Sequence, residues 1–193
     1  MGKNTVFADD IKEVIIDEEE LKQRISELGK EITDSYEDDD DIVMLCILRG
    51  AILFMADLAR EIDLPVVFDF MDVSSYGAST ESSGVVRIIK DMEENIEGRH
   101  LLIVEDIIDT GRTLKHVVDM LETRDPKSIK VVTLLDKPDR RVQKEIDADF
   151  NGFEIPDKFV VGYGLDFAEK YRNLSFIGVL KEKLYINTQR LKD

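Results

Sequence analysis

Hydrophobic and polar positions along the chain form blocks whose spacing switches repeatedly between the helical and the strand period. From Leu21 to Ile32, apolar residues recur every three or four positions, which predicts a helix over residues 17–35. Asp17 and Glu20 have the spacing of a capping box, in which two side chains bond the first free amides of a helix. The sequence therefore predicts a helix that starts next to Asp17.

Strand and helix patterns then alternate through residues 42–135. The segment IVMLCIL is apolar throughout, as a strand buried on both faces is, and AILFMADLAREI has a broad apolar helical face. Further strands are predicted for VVFDFMDV, VVRIIKDM, LLIVEDII, SIKVVTLLD, KFVVGYGLD and SFIGVLKEKLY, and a further helix follows Gly111. Such alternation is typical of an α/β fold with a mainly parallel, twisted sheet flanked by helices.

One polar segment, SSYGASTESSG over residues 74–84, separates two of the predicted strands. Its small polar residues are typical of a mobile loop. Loops of this length inside a compact domain are usually functional or disordered, so this one is a candidate for a functional loop.

The composition bounds the class of protein. With 193 residues, the chain is long enough for one full core and too short for two ordinary domains, so a single domain over residues 1–193 is predicted. Its longest apolar runs are far below the roughly 20 residues that span a bilayer, so no membrane partner is expected. A net charge of -16 opposes binding to nucleic acid. Cys46 is the only cysteine and no export signal begins the chain, so a cytoplasmic location is expected.

Three acids stand at the end of the most hydrophobic predicted strand, in the segment LLIVEDIIDTGRTL. Glu105 and Asp106 occupy positions that strand propensity would fill with Val or Ile, and carboxylates there cost stability unless they meet cations, hydroxyls or water. Helical spacing begins near Gly111, so the free amides of residues 110–113 form a ready anion site. The sequence predicts a phosphate site at this turn, and helix capping by Asp109 or Thr110 is the alternative.

Other interpretations of the acidic motifs are less well supported. The chain has no G-x-x-x-x-G-K-[ST] segment, which excludes a Walker loop. The tripeptide Asp-Thr-Gly also occurs in aspartic proteases, but those are all-β proteins, whereas an amphipathic helix follows it here. The acidic run over residues 37–41 is predicted to be a solvated loop, because consecutive side chains cannot all face one metal ion.

The segment VEDIIDTGRTL resembles the diphosphate-sugar site of type I phosphoribosyltransferases. Three further segments match this family in the same order: LRGA from Leu48, SSYG from Ser74, and a long stretch from LLDKPDRR to FAEKYRNL that starts at Leu134. This last stretch is similar to the branch of the family that acts on hypoxanthine and guanine. The resemblance covers nearly the whole chain, and the first 40 residues carry the least of it.

The resemblance implies a type I phosphoribosyltransferase fold, with a core over residues 40–135 plus strands within 158–182 and a small hood from the N- and C-terminal segments. It also implies an activity: transfer of the 5-phosphoribosyl group from 5-phospho-α-D-ribosyl 1-diphosphate (PRPP) to N9 of a 6-oxopurine. The products would be IMP or GMP and diphosphate. Mg²⁺ is the implied cofactor, and a homodimer or homotetramer is the implied assembly.

The family's functional residues can be carried over to matching positions of this chain. The resemblance implies that Glu105 and Asp106 face the ribose hydroxyls, directly or through Mg²⁺-bound water. It implies that Asp109 is the catalytic residue, which accepts or donates a proton at purine N7. Asp166 would be a further magnesium contact on the diphosphate side, and Arg172 would clamp the diphosphate.

The same resemblance implies the contacts of the base. Lys137 would donate to purine O6, Phe159 would stack on the ring, and the main chain of Val160 would meet the pyrimidine edge. Ser75 and Tyr76 belong to the loop that would close over the reacting centre. The other implied substrate contacts are Arg49, Gly50, Ile107, Thr110, Gly111, Arg112 and Thr113, and the peptide between Leu48 and Arg49 is often cis in this family.

Two other functions stay open at the level of sequence. A regulator with the same fold would sense PRPP and bind RNA or DNA, but it would need a basic face or an added domain, which the charge of -16 and the length disfavour. A xanthine-preferring transferase belongs to the same enzyme class. The choice of base depends on loop geometry that the sequence does not give.

Overall fold

The computed structural model describes residues 7, 9–75 and 86–189. Its elements are β1 (Ile11–Ile16), α1 (Glu18–Thr33), β2 (Ile42–Leu48), α2 (Ile52–Glu61), β3 (Val66–Ser75), β4 (Val86–Lys90), β5 (His100–Ile108), α3 (Arg112–Glu122), β6 (Ser128–Asp136), β7 (Phe150–Glu154), β8 (Val160–Val161), β9 (Ile177–Leu180) and α4 (Glu182–Gln189). A short 3-10 helix, Pro138–Arg140, follows β6. The predicted start of α1 is confirmed, because Asp17 and Glu20 form both bonds of a capping box.

The central sheet has six strands in the order β4-β3-β2-β5-β6-β7. All neighbouring pairs are parallel except β3 with β4, which is antiparallel and lies at one edge. This arrangement confirms the predicted mainly parallel α/β sheet. The chain proceeds from β2 to β3 in one direction and from β5 to β6 in the other, so the strand order reverses between β2 and β5. Ligands of open α/β sheets bind beyond the strand ends at such a reversal.

Apolar layers cover both faces of this sheet. Because side chains alternate along a strand, successive residues of β2 enter different layers. Met44 belongs to the cluster that contains Phe54 of α2, and Leu45 belongs to the cluster that contains Val117 of α3. The strand is therefore buried on both sides, as its continuous apolar sequence predicts, and its carboxyl end is held rigidly at the reversal point.

A second sheet of three antiparallel strands, in the order β1-β9-β8, joins the N-terminal and C-terminal parts of the chain. It forms the small hood that the family resemblance implies. The predicted single domain, with its division into a core and a hood by residue ranges, stays a prediction. The strands β8 and β9, which lie within the range 158–182, pair with β1 and not with the central sheet.

Several predicted boundaries are wrong. The strand predicted for residues 158–166 covers only Val160–Val161, because Gly162, Tyr163 and Gly164 have positive φ angles of 105°, 47° and 100°, which end an extended conformation. The strand predicted for residues 175–185 ends at Leu180, and a helix follows. The sequence analysis did not predict β1 or β7. In β1 only Ile16 is buried, and in β7 only Phe150 is.

The predicted functional loop over residues 74–84 lies mostly outside the described residues. Its first two residues end β3, where Ser74 pairs with Arg87 and Ser75 pairs with Val86. None of the helices in the described part of the chain combines the length and the apolar character that crossing a membrane requires.

Candidate active site

A cleft of about 420 Å³ lies where the strand order reverses, at the carboxyl ends of β2 and β5. Both strands end in polar segments that enter its wall, and the segment between β8 and β9 contributes Asp166 and Arg172. The predicted site residues that line the cleft are Arg49, Gly50, Glu105, Asp106, Ile107, Asp109, Thr110, Gly111, Arg112, Thr113, Asp166 and Arg172. Residues that are distant in sequence therefore meet in one place.

The acid pair at the end of β5 forms the floor of this cleft. Glu105 is buried, and its Oε2 has no hydrogen-bond partner among the described residues. Burial and then the neighbouring Asp106 charge raise the pKa of Glu105 well above its usual value. Burial also raises the pKa of Asp106 to about 6, against the opposing effect of the hydrogen bond from the Ile107 amide. Such a pair is suited to accept hydrogen bonds from hydroxyl groups or to bind a hydrated cation. Either ligand would stabilise the ionised carboxylates.

Mg²⁺ fits this donor set if other ligands complete its shell. No three His, Cys, Asp or Glu side chains in the described ranges come together to hold a metal ion by themselves. Two adjacent carboxylates, one with an unpartnered buried oxygen, are suited to Mg²⁺, which usually keeps water and binds substrate phosphates as well. Asp166 is close enough to add to the effect of burial on the pKa of Asp106, and it pairs with Arg172 Nη2 at 2.9 Å.

The turn after β2 packs directly against the acid pair. A Cβ at Gly50 would lie 1.5 Å from Asp106 Oδ2, so any larger residue would displace this carboxylate. The peptide between Leu48 and Arg49 is cis, as the resemblance implies. Because Gly50 has no side chain, the backbone of the turn can approach a ligand that lies on Asp106.

Two guanidinium groups flank the same end of the cleft. Arg172 Nη1 donates to the carbonyl of Gly164 at 2.7 Å, which ties it to the hood. Arg49 Nη1 and Arg172 Nη2 lie 3.2 Å and 3.4 Å from the same oxygen, Glu169 Oε2. Two cations at one edge are suited to bind a diphosphate.

The turn between β5 and α3 presents the N-terminus of a helix to the cleft. Gly111 is the N-cap residue with a φ of 77°, and as a glycine it has no side chain that could cap the helix. The Arg112 amide donates to Thr110 Oγ1 at 3.5 Å, which is a long and weak bond. Asp109 instead accepts a hydrogen bond from Arg140 Nε at 3.0 Å. Of the two capping alternatives, Thr110 therefore gives a weak cap, and the turn is suited to an anion.

A chain of ion pairs extends from Asp109 toward the predicted base contacts. Arg140 also lies 3.3 Å from Asp157, and Lys137 Nζ lies 3.6 Å from the same carboxylate. Lys137 is buried, and its Nζ donates to the carbonyl of Lys158 at 2.7 Å. Lys137 is therefore connected to Asp109 through two side chains, although it does not line the cleft itself.

Phe159 carries its ring on the surface beside this ion-pair chain. It is 39% exposed, stacks on Tyr185 with ring centroids 4.8 Å apart, and meets Phe167 edge-on at 5.6 Å. Val160 is buried in β8. The two predicted base contacts thus lie together, next to Lys158, whose carbonyl binds Lys137.

Comparison with known proteins identifies the family. The statistical model of the "Phosphoribosyl transferase domain" matches residues 13–168. The chain belongs to the phosphoribosyltransferase family. The family and the fold class inferred from sequence are therefore confirmed.

The relatives of this phosphoribosyltransferase include enzymes named for their purine substrates. The hypoxanthine-guanine phosphoribosyltransferase of Bacillus subtilis is 56% identical over 176 residues, which are 91% of this chain and 97% of the relative. The enzyme of the same name from Mycobacterium avium is 50% identical, with 93% of this chain and 91% of the relative covered. A solved hypoxanthine phosphoribosyltransferase from Staphylococcus aureus has a TM-score of 0.90 at 48% identity and covers 95% of this chain and 99% of its own.

Some parts of the site in this phosphoribosyltransferase were missed by sequence reasoning, and others cannot be placed. Arg140, Arg141 and Asp157 were not predicted, although KPDRR is the one place where basic residues cluster and could have indicated them. Tyr185 was assigned to a strand, which hid its stacking on Phe159. Tyr76 and the side chain of Ser75 lie outside the described residues.

Proposed function

We propose that this phosphoribosyltransferase transfers the 5-phosphoribosyl group from PRPP to N9 of hypoxanthine or guanine, giving IMP or GMP and diphosphate. The observation that carries the proposal is a single cleft in which a buried acid pair lies between an anion-binding turn and two guanidinium groups. This order of groups is suited to a sugar with phosphate groups at both ends. The names of the relatives support a 6-oxopurine as the acceptor.

In this proposal each end of PRPP has its own wall of the cleft. The 5-phosphate lies on the turn of residues 109–113, where the helix terminus favours negative charge. The ribose hydroxyls donate to Glu105 and Asp106. Once these carboxyl groups are ionised, they have no hydrogen to donate and can only accept hydrogen bonds. The diphosphate lies against the backbone at Gly50 and the guanidinium of Arg172.

The transfer step breaks the bond between C1 and the diphosphate oxygen, which keeps the electron pair, and N9 of the base then bonds to C1. The proton that the base loses from its imidazole ring passes to the carboxylate of Asp109, which Arg140 holds in place by the bond to Oδ1. Glu105 and Asp106 would contact Mg²⁺ at the ribose hydroxyls, and Asp166 would contact it on the diphosphate side. Mg²⁺ bound there together with the substrate would neutralise the charge of the leaving diphosphate.

The acceptor base lies on the side of Lys137 and Phe159. A buried ammonium donates hydrogen bonds only, so Lys137 favours an oxo group over an amino group at purine C6. Phe159 offers an exposed aromatic face, and the main chain at Val160 meets the pyrimidine edge. A transferase that prefers xanthine shares these contacts and is the second candidate.

We also infer a homo-oligomer, a dimer or a tetramer, in the cytoplasm. Ile52, Leu53 and Phe68 are 45%, 37% and 52% exposed, which is unusual for large apolar side chains. Phe68 lies on the face of β3 that also carries Val66 and Phe70, and these pack in the same layer as α2. The apolar side chains therefore occur on one side of the molecule, as an interface between copies requires.

A base panel tests the proposed activity. The protein is mixed with PRPP, Mg²⁺ and hypoxanthine, guanine, xanthine, adenine or uracil, and nucleotide formation is followed by absorbance. Hypoxanthine or guanine should give the highest kcat/KM. A preference for xanthine would establish the second candidate. Binding of PRPP without consumption of any base would overturn the enzyme proposal and support a PRPP-sensing regulator.

A further inference from the structure

A buried arginine lies directly behind the turn proposed to bind the 5-phosphate. Arg141 follows the 3-10 helix of Pro138–Arg140, and its side chain is only 10% exposed. A Cβ at Gly111 would lie 3.3 Å from Arg141 Cδ and 3.5 Å from its Nη1. The side chain of Arg141 therefore borders the space next to Gly111, the residue at which the turn becomes a helix.

The guanidinium is anchored through one nitrogen and unpaired at another. Its Nη2 forms an ion pair with Asp136, whose side chain is 6% exposed at the end of β6. Its Nη1 is buried and has no hydrogen-bond partner among the described residues. A buried donor without a partner destabilises the fold, and more so when it is charged, so folded proteins rarely retain one without a reason. A ligand oxygen at the turn would supply the partner.

The segment around Arg141 is also bonded to the turn through its backbone. The amides of Val142 and Gln143 donate to the carbonyl of Thr110 at 3.0 Å and 3.1 Å, and the amide of Lys137 donates to the carbonyl of Ile108 at 3.0 Å. These bonds fix the position of the segment on both sides of Arg141. The backbone that carries Arg141 thus cannot move away from the turn without loss of these hydrogen bonds, and the ion pair with Asp136 restrains the side chain.

We propose that Arg141, anchored by Asp136, binds and positions the 5-phosphate by placing a buried positive charge and the N–H of Nη1 against the turn of residues 109–113. A phosphate ester carries up to two negative charges, and the chain has a net charge of -16, so a buried cation at this point offsets the repulsion. The identity of the phosphate as that of PRPP rests on the proposed function.

Binding measurements with paired ligands test this role. In Arg141→Met, calorimetry should show affinity for GMP lower by about tenfold or more, whereas affinity for guanosine, which lacks the phosphate, should change by less than about twofold. The affinity for ribose 5-phosphate should fall by a similar factor to the affinity for GMP. The matched control is Arg124→Met, which removes an ion pair with Asp91 of 2.7 Å at the far end of α3 and should leave all three affinities unchanged.

Equal weakening of GMP and guanosine in Arg141→Met would show a structural role only, and unchanged GMP affinity would show no role; either result overturns the proposal. If Arg141→Met does not fold, Arg141→Lys provides the test. Lysine keeps the charge, but its single ammonium group cannot bind Asp136 and face the turn at the same time as a guanidinium can. The affinity for GMP should therefore again fall, and the affinity for guanosine should not. Since binding is measured without turnover, a phosphate effect in a protein that consumes no base would contradict the proposed function and leave this inference standing.

Discussion

Glu105 is a residue whose burial opposes stability. Its position in β5 is one that an apolar side chain would fill at no electrostatic cost, yet it holds a carboxylate with an unpartnered oxygen beside a second acid. The cost is offset only when a ligand brings hydroxyls or a cation. Glu105 should therefore lower the stability of the unliganded protein while it increases the affinity for the substrate.

The pH dependence of stability follows from the raised pKa of both acids. Because folding raises both pKa values, the acid pair is neutral and compatible with the fold below about pH 4. This contribution to stability is lost as the pH rises through the pKa of Asp106 in the folded state, about 6, and through the raised pKa of Glu105. Glu105→Gln should therefore raise the free energy of unfolding of the unliganded protein by about 1–3 kcal/mol at pH 8, and by less at pH 5. Calorimetric unfolding at both pH values measures this.

The same variant should bind PRPP more weakly, because the amide cannot accept the hydroxyl hydrogen bonds as a carboxylate does. Glu182→Gln is the matched control, since Glu182 forms only an exposed pair with Lys12 at 4.0 Å. Equal pH profiles of stability in Glu105→Gln and wild type would contradict the proposed burial cost.

Asp109 should be needed for the chemical step and not for the binding of PRPP. In Asp109→Asn the side-chain oxygen still accepts from Arg140, so the turn keeps its geometry, but the amide cannot take a proton. We expect kcat to fall about 10²-fold or more while the dissociation constant for PRPP stays within about twofold. Steady-state kinetics and equilibrium binding separate the two quantities. Asp119→Asn on the outer face of α3 is the control, and an unchanged kcat in Asp109→Asn would remove Asp109 from this role.

At the scale of elements, the site depends on how closely the turn after β2 approaches the end of β5. In Gly50→Ala, the new methyl group would lie 1.5 Å from Asp106 Oδ2 and would displace that carboxylate. The KM for PRPP should rise about tenfold or more, since small displacements of a binding group are costly. Gly98→Ala is the control: it places alanine at a φ of 70° but meets no atom within 4 Å, so it should lower stability by about 1 kcal/mol and leave KM unchanged. Equal KM values in both variants would contradict this account.

The elements that could be predicted from sequence are those whose pattern is set by burial. β2 is apolar along its whole length because both faces are covered, and α1 has a helical stripe with its own capping box. The hood could not be predicted as well. β1 is half exposed, and its apolar and polar residues do not alternate regularly. β8 is cut to two residues by a turn with three consecutive positive φ angles that only the tertiary structure shows.

The candidate site shows the same limit. The acids of β5 and the glycine of the turn were predictable because their residue types conflict with a plain strand or helix. Arg140 and Arg141 were not, since charged residues on a polar loop are ordinary in a sequence. Arg140 contacts Asp109 only because the ends of β5 and β6 lie side by side, and the sequence does not show that Arg141 folds back onto Asp136 and is buried there.

At the scale of the whole molecule, the exposed apolar side chains of α2 and β3 predict an assembly. Phe68→Asp should convert the proposed oligomer to a smaller species, because burying an unpaired charge in an interface is costly. Light scattering after gel filtration gives the mass. Val14→Asp is the control, since Val14 is 51% exposed but lies on β1 of the hood. The same mass for wild type and Phe68→Asp would contradict the proposed interface.

The central claim, that the cleft transfers a phosphoribosyl group to a 6-oxopurine, is tested most directly by ³¹P NMR of one reaction mixture. With Mg²⁺ and PRPP alone, the PRPP signals should persist. After hypoxanthine is added, they should be replaced by the signals of IMP and free diphosphate in equal amounts, and Asp109→Asn should slow this conversion. Persistence of PRPP in the presence of both hypoxanthine and guanine, or its breakdown to ribose 5-phosphate and diphosphate without nucleotide, would contradict the claim.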